Sequence, residues 1–194
     1  KIANLASGAC TLRLGDTVLM VAACSGPARP DTDFLALQVD YREKYSAAGK
    51  FPGGYIKREG RPSKKEILTC RLTDRPLRPL FPKGYRQEVQ VVASVLSMDP
   101  NFRPDVIGMI AASAALSLTG TPFDGPVAGL RVGRVNGEFK AFLTPEERAE
   151  SDLDIVVAGI ESGVTMVEAG ANEVSEEVIG EALEWAFAAY QPAI

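Results

Sequence analysis

The chain has 194 residues, of which 46% are hydrophobic and 24% are charged, and this composition suits a globular protein with one large core or two small ones. It contains no run of about 18 uncharged apolar residues and no signal-peptide pattern, which predicts a soluble protein without a membrane partner. Cys10, Cys24 and Cys70 are odd in number and widely spaced, and histidine is absent. These features argue against a disulfide framework and a zinc site, and they favour a cytoplasmic location.

The formal net charge of −4 conceals an uneven distribution of charge. Ten of the 21 Lys and Arg residues lie between Gly53 and Arg86, with only three acidic residues among them. A compact basic face on an acidic body can bind a phosphate backbone by releasing its counterions. The alternative is a solvated surface whose cations pair with acids elsewhere in the chain. Nucleic acid is the leading expected partner.

The first third of the chain predicts strands and a long loop. Two β-branched and aliphatic runs, 9–14 and 17–25, flank a tight turn at Gly15-Asp16, which is typical of an antiparallel hairpin. Residues 35–42 alternate apolar and polar side chains, as a half-buried strand does. The Gly-, Pro- and aromatic-rich stretch 47–60 is then predicted to be an exposed loop.

A helix is predicted to follow this loop. Ser63 and Glu66 have the spacing of a capping box, in which the serine accepts from the amide of Glu66 and the carboxylate reaches back to the serine amide. Lys64 and Lys65 would therefore lie in the first helical turn. Pro76 is expected to end the helix.

The rest of the chain alternates hairpins with helices. The predicted elements are a buried strand at 88–98, a helix at 104–118, a hairpin of 127–135 and 139–143 with an Asn136-Gly137 turn, a short helix from Thr144, a strand pair at 153–158 and 164–169, and a last helix from Ser175. Strands in hairpins with helices between them indicate an α+β domain, not a doubly wound parallel sheet.

Four ordered runs closely resemble one family. They are GYIKREGRPSKKEILTCRLTDRPLRPLFPKGY, PDVIGMIAASAALSLTGTPFDGPVAGLRVG, SDLDIVVAG and MVEAGANEVSEE. The family is polynucleotide phosphorylase (polyribonucleotide nucleotidyltransferase), and the match is to its first ribonuclease-PH-like core. The resemblance implies an α+β, ribosomal protein S5 domain 2-like fold with mixed or antiparallel sheets packed with helices. It divides the core into an N-terminally truncated part, 1–143, and a C-terminal part, 144–194.

The resemblance also implies a function. Members of this family degrade single-stranded RNA from 3' to 5' to nucleoside diphosphates, with inorganic phosphate as co-substrate and Mg²⁺ as the metal. It implies a homotrimeric ring in messenger RNA turnover, a second core and KH and S1 domains on the same chain, and RNA-degradosome proteins as further partners. This fragment would be the non-catalytic first core, with Mg²⁺ bound outside it.

Several positions depart from the catalytic pattern of the family's second core. The helix start that holds phosphate there reads Arg103-Pro104-Asp105 here, where proline lacks an amide proton and aspartate repels phosphate. Arg148 stands in the place of an acid, Thr69 in the place of a histidine, and 152–156 reads Asp-Leu-Asp-Ile-Val without the usual lysine. No catalytic residue and no metal ligand are therefore predicted, and Asp152 and Asp154 are expected in a turn or strand-entry role.

The loop residues carry the predicted RNA contacts. In the family, an aromatic-aromatic-basic-basic loop of the first core narrows the channel through which RNA threads. The predicted RNA-binding residues are Tyr55, Ile56, Lys57 and Arg58 in that place, followed by Arg61, Lys64 and Lys65. An aromatic ring next to cations suits stacking on unpaired bases with phosphate nearby. Three arginines are expected to have a structural role instead, in which their guanidinium groups form ion pairs with acidic side chains: Arg71, Arg75 and Arg78.

Two other functions remain open from the sequence. One is a scaffold subunit of an exosome-type ring, which shares the fold and the RNA path. The other is a nucleotide-binding regulatory module.

Overall fold

A computed structural model describes residues 2–194. The regular elements, in chain order, are β1 (Gly8–Leu14), β2 (Thr17–Gly26), β3 (Leu37–Glu43), α1 (Lys64–Leu77), β4 (Glu88–Ser97), α2 (Pro104–Ser117), β5 (Ala128–Val135), β6 (Glu138–Ala141), α3 (Pro145–Glu150), β7 (Leu153–Ile160), β8 (Gly163–Ala171) and α4 (Glu176–Tyr190).

The strands form two four-stranded sheets. The first has the order β1-β2-β4-β3, in which only β3 and β4 run parallel because helix α1 provides the crossover between them. The second has the order β6-β5-β7-β8 and is antiparallel throughout. These sheets confirm the predicted α+β class with mixed and antiparallel sheets.

Helix α2 packs against both sheets and is mostly buried. Its small residues allow a close approach to strand β1. A Cβ atom on Gly8 would lie 2.2 Å from the carbonyl oxygen of Ala115, so no larger residue fits there without a shift of the backbone. Leu19, Val21 and Val91 are fully buried on the side of the first sheet that joins this core.

Helix α4 closes a second apolar cluster against the second sheet. Ala182 and Ala186 are fully buried on the helix, and Ile155 and Val157 are fully buried on strand β7. Small residues on the helix face allow close helix–sheet packing. The predicted division of the core at 143 and 144 stays a prediction.

The local predictions agree with the structure except at one helix end. Ser63 forms the expected capping box, and Thr144, where a short helix was expected to start, forms a second one. Pro76, however, does not end helix α1, which continues to Leu77 and then into a 3-10 turn, Arg78–Leu80. A proline in the last turn removes only its own amide hydrogen bond, and the helical pattern continues past it, with the amide of Arg78 donating to the carbonyl of Asp74.

Two further observations concern the cysteines and the helices. Cys10, Cys24 and Cys70 are free thiols. Within residues 2–194, no helix is both long and apolar enough to cross a membrane.

Candidate nucleic-acid interface

The loop between β3 and α1 projects its tip into solvent. Tyr55 and Ile56 are 102% and 74% exposed, so neither side chain contributes to a core. The base of the loop is fixed where the amide of Tyr45 donates to Oε1 of Glu59 at 3.2 Å. The structure thus presents an aromatic ring and an aliphatic side chain side by side on an anchored loop.

The basic residues of the loop are exposed and are not paired with any acid that the structure describes. Lys57 has a left-handed backbone with φ of 50°, and its ammonium group lies 5.5 Å from the centre of the Phe51 ring, within cation–π range. Lys57, Arg58 and Arg61 are exposed and form no ion pair among residues 2–194. Unpaired cations on a loop of this kind can contact phosphates without first breaking a salt bridge.

The two lysines at the start of helix α1 differ in their surroundings. Lys64 is exposed and has no ion-pair partner in the described part of the chain. Lys65 donates to Oε2 of Glu43 at 2.8 Å, across to the end of strand β3. Both lie in the first helical turn, where the amides add partial positive charge. Lys64 can therefore contact a phosphate directly, whereas Lys65 is already paired with the carboxylate of Glu43.

Arg71 and Arg75 on helix α1, and Arg78 just after it, fall into two groups. Arg78 makes a two-pronged contact with Asp74 and also donates to the carbonyls of Leu35 and Leu37. Arg75 pairs with Glu168 at 2.8 Å. These two contacts agree with the expected pairing onto acids. Arg71 is exposed, and no ion pair is seen for it within residues 2–194.

Asp105 lies in the first turn of helix α2 and is almost fully buried. Its Oδ2 accepts from Arg131 at 2.9 Å and pairs with Arg103 at 3.0 Å, while Oδ1 accepts from the amide of Val106. The buried carboxylate thus supplies a negative charge at the positive end of the helix. A free phosphate does not fit this position because the protein's own anion is already there.

The neighbouring acids are also held by arginines. Asp154 pairs with Arg131, and Asp152 pairs with Arg134 at 3.2 Å. Burial, with the nearby charges of Arg103 and Arg131, lowers the pKa of Arg148, whose Nη2 donates to the carbonyl of Leu143. The guanidinium groups of Arg103, Arg131 and Arg148 thus surround the carboxylates of Asp105 and Asp154 at this end of helix α2.

The residues here do not fit a magnesium site. Asp152 and Asp154 each face a guanidinium, and within residues 2–194 no group of three His, Cys, Asp or Glu side chains is placed to hold a metal. A hard divalent cation needs several oxygen ligands, and adjacent guanidinium groups oppose its charge. Thr69, at the predicted histidine position, is buried and donates to the carbonyl of Lys65 within its own helix.

Comparison with known proteins identifies the family. Residues 1–122 match the 3' exoribonuclease family, domain 1, and residues 125–189 match domain 2 of the same family. The chain belongs to the 3' exoribonuclease family. Within that family, the polyribonucleotide nucleotidyltransferase of Heliobacterium modesticaldum is 54% identical over 184 residues, which are 94% of this chain and 26% of the relative. That of Granulibacter bethesdensis is 53% identical over 195 residues, or 100% of this chain and 27% of the relative.

These matches confirm the resemblance to polynucleotide phosphorylase, and the chain spans about a quarter of the length of these 3' exoribonuclease family members. The crystal structure of rice (Oryza sativa) Rrp46 matches the fold with a TM-score of 0.78 at 16% identity, and the match covers 100% of this chain and 87% of that one. With the family match, it confirms the ribonuclease-PH-like fold.

The structure places two more basic residues beside this surface, and neither was among the RNA-binding residues predicted from the sequence. Arg42 and Lys44 line a cavity together with Arg61, although both precede the basic segment that begins at Gly53. Their nearness depends on the end of strand β3 lying beside the start of helix α1. A count of cations over a wider window would have included them, but only the fold places them next to Arg61.

Proposed function

We propose that this chain is the RNA-guiding, non-catalytic first core of a phosphate-dependent 3' to 5' exoribonuclease that degrades single-stranded RNA to nucleoside diphosphates. The observation that carries the proposal is the exposed loop tip, where Tyr55 and Ile56 stand beside the unpaired Lys57 and Arg58. An aromatic face stacks on any unpaired base and cations bind any phosphate, so binding would be largely independent of sequence.

The proposed RNA surface extends from the loop to the start of helix α1. Arg61 and Lys64 continue the row of unpaired cations, and Lys65 would join it by exchanging Glu43 for a phosphate. RNA binding by all seven residues is part of the proposal: Tyr55, Ile56, Lys57, Arg58, Arg61, Lys64 and Lys65. Arg75 and Arg78 are excluded because their guanidinium groups hold Glu168 and Asp74.

The lack of catalysis is supported by the start of helix α2. The buried Asp105 is paired with Arg131 and Arg103, where the family's catalytic core is expected to take phosphate. Bond cleavage would therefore reside in a second core of the longer protein, together with Mg²⁺ and inorganic phosphate. The proposal also includes a homotrimeric ring, KH and S1 domains on the same polypeptide, RNA-degradosome partners and a cytoplasmic location.

The first test measures how RNA binding depends on salt. For single strands, the slope of log K against log salt is about −0.7 per neutralised phosphate, so Lys57→Ala with Arg58→Ala should reduce its magnitude by up to about 1.4. Lys83→Ala with Arg86→Ala removes the same charge from the basic segment outside the loop and serves as the matched control. An unchanged salt slope for RNA binding by the loop variant would contradict the proposed RNA-guiding role.

A second test addresses catalysis separately. The chain is incubated with labelled single-stranded RNA, inorganic phosphate and Mg²⁺, and nucleoside diphosphates are measured by chromatography. We expect RNA binding without appreciable product. Appreciable release of nucleoside diphosphates by this chain would show that this core is itself catalytic.

The scaffold role in an exosome-type ring is the main competing function. Identity of 50 to 54% to relatives named polyribonucleotide nucleotidyltransferase favours the phosphorolytic enzyme over that alternative. The sequence that continues from this core distinguishes them, since the proposal requires a second core with an intact phosphate site on the same polypeptide.

A further inference from the structure

A cavity of about 550 Å³ lies between the end of strand β3 and the base of the loop. Its walls include Arg42, Lys44, Tyr45, Glu59, Arg61 and Glu66. The volume lies within the range of small-molecule sites, about 300 to 1,000 Å³. Because the cavity is at the base of the loop, it is separate from the exposed tip that carries the proposed RNA contacts.

The acids of this cavity are largely engaged by the protein itself. Glu66 accepts from the amide of Ser63 at 2.6 Å with one oxygen and from the amide of Glu43 at 3.0 Å with the other. Glu43 accepts from the hydroxyl of Tyr41 at 2.6 Å and from Lys65 at 2.8 Å. Most of the negative charge at the cavity wall is therefore already bound to protein donors.

The cations of the cavity are in the opposite situation. Arg42, Lys44 and Arg61 form no side-chain hydrogen bond and no ion pair among residues 2–194. Lys44 and Arg61 are exposed, and Arg42 is half-buried. Three cationic side chains without a hydrogen-bonded acceptor therefore line one concave site, which suits a phosphate group with several acceptor oxygens.

Tyr45 supplies the second half of a nucleotide site. Its side chain is 49% exposed at the cavity wall, while its amide is held by Glu59. A half-exposed ring on a fixed backbone can stack on a base at little cost in side-chain entropy.

We infer that this cavity binds one nucleotide, with the phosphate on Arg42, Lys44 and Arg61 and the base on Tyr45. The nucleotide is either one unit of the RNA strand or a free nucleoside diphosphate, and only the first source rests on the proposed function. Both sources present the same phosphate and base to the cavity.

The test titrates ADP into the chain by calorimetry and compares two double variants. Arg42→Gln with Lys44→Gln should weaken ADP binding by about tenfold or more, because each lost charged hydrogen bond alone accounts for about this factor. Lys83→Gln with Arg86→Gln removes the same charge from exposed positions outside the cavity and should leave ADP binding unchanged. Equal ADP affinity in the two double variants, or no ADP binding by the unaltered chain at millimolar concentration, would overturn the inference.

The tyrosine gives an independent test that does not alter charge. Tyr45→Phe should keep ADP binding, whereas Tyr45→Ala should weaken it by about fivefold or more because the stacking ring is lost. Thermal unfolding of each variant checks that it is folded. If Tyr45→Ala and Tyr45→Phe bind ADP equally, the base does not lie on this ring and the proposed site is wrong.

A competition experiment separates the two sources of the nucleotide. If the occupant is a unit of the strand, single-stranded RNA will displace ADP in proportion to its own affinity. If the occupant is a free nucleotide, ADP will remain bound in the presence of saturating RNA. Lys57→Ala with Arg58→Ala isolates the proposed function, since failure of the loop changes RNA binding and leaves ADP binding as it was.

Discussion

The backbone amide of Glu43 donates to Oε1 of Glu66 at 3.0 Å, and this bond joins the end of strand β3 to the first turn of helix α1. The other oxygen of Glu66 accepts from the amide of Ser63 and completes the capping box. A single carboxylate therefore fixes both ends of the segment that carries the basic loop. The loop tip can be exposed and still be held in one place.

Stability should depend on pH through Glu66. Burial alone would raise the pKa of Glu66, but the amides of Ser63 and Glu43 that donate to its carboxylate lower it. Because the folded pKa lies below the unfolded one, the stabilisation is complete above about pH 4.3 and is lost as the pH falls through the folded pKa. Glu66→Gln should lower the free energy of unfolding at pH 7 by about 1 to 3 kcal/mol, and the difference should shrink in acid.

Urea denaturation from pH 7 to pH 3 measures this difference. Glu181→Gln makes the same change at an exposed position on helix α4 and is the control. A constant difference between the chain and Glu66→Gln over this range would contradict the role of the carboxylate charge.

The buried ion pair at the start of helix α2 predicts that Asp105→Asn, a change of one side-chain atom, greatly lowers the free energy of unfolding. Asp105→Asn leaves Arg131 and Arg103 facing a neutral side chain in a buried site, and the loss of a partner in such a pair costs about 3 to 5 kcal/mol. Asp16→Asn is the same substitution in the exposed pair with Arg13 and should cost less than about 1 kcal/mol. Chemical denaturation measures both, and equal costs would show that burial does not set the strength of this contact.

The ring of Tyr55 should contribute to RNA affinity and not to stability. Stacking on one base contributes about 1 to 3 kcal/mol, so Tyr55→Ala should weaken single-stranded RNA binding by about 5- to 150-fold, and Tyr55→Phe should bind nearly as well as the unaltered chain. Because the side chain is fully exposed, the melting temperature should not change.

Fluorescence anisotropy with a labelled oligonucleotide provides the measurement. Phe34→Ala removes another exposed ring, 64% accessible, outside the loop, and controls for a general loss of apolar surface. Equal RNA affinity for Tyr55→Ala and Phe34→Ala would exclude stacking on Tyr55.

The close packing of strand β1 on helix α2 predicts that Gly8 tolerates no side chain. A Cβ there would lie 2.2 Å from the carbonyl oxygen of Ala115, so Gly8→Ala should destabilise the fold by about 1 to 3 kcal/mol through overpacking. Gly26→Ala, where no atom lies within 4 Å of the added Cβ, is the matched control. Thermal denaturation compares the two, and similar melting temperatures would show that the strand and helix can move apart freely.

The elements of the fold were predictable where their signals are local. The capping box of Ser63 and Glu66 spans three residues, and the turn at Asn136-Gly137 sets its hairpin by backbone conformation alone. The end of helix α1 was missed because Pro76 removes only one hydrogen bond near the end of the helix, and the chain continues past it into a 3-10 turn.

The sequence by itself determined the order of strands and helices, the family and the concentration of basic residues in one segment. The tertiary structure decided which of those cations are free. Lys64 and Lys65 are neighbours in the chain, but successive helical residues point about 100° apart, so that one meets Glu43 and the other meets solvent. The pairing of Asp105 with Arg131 likewise joins residues far apart in sequence, and no local pattern specifies such a contact.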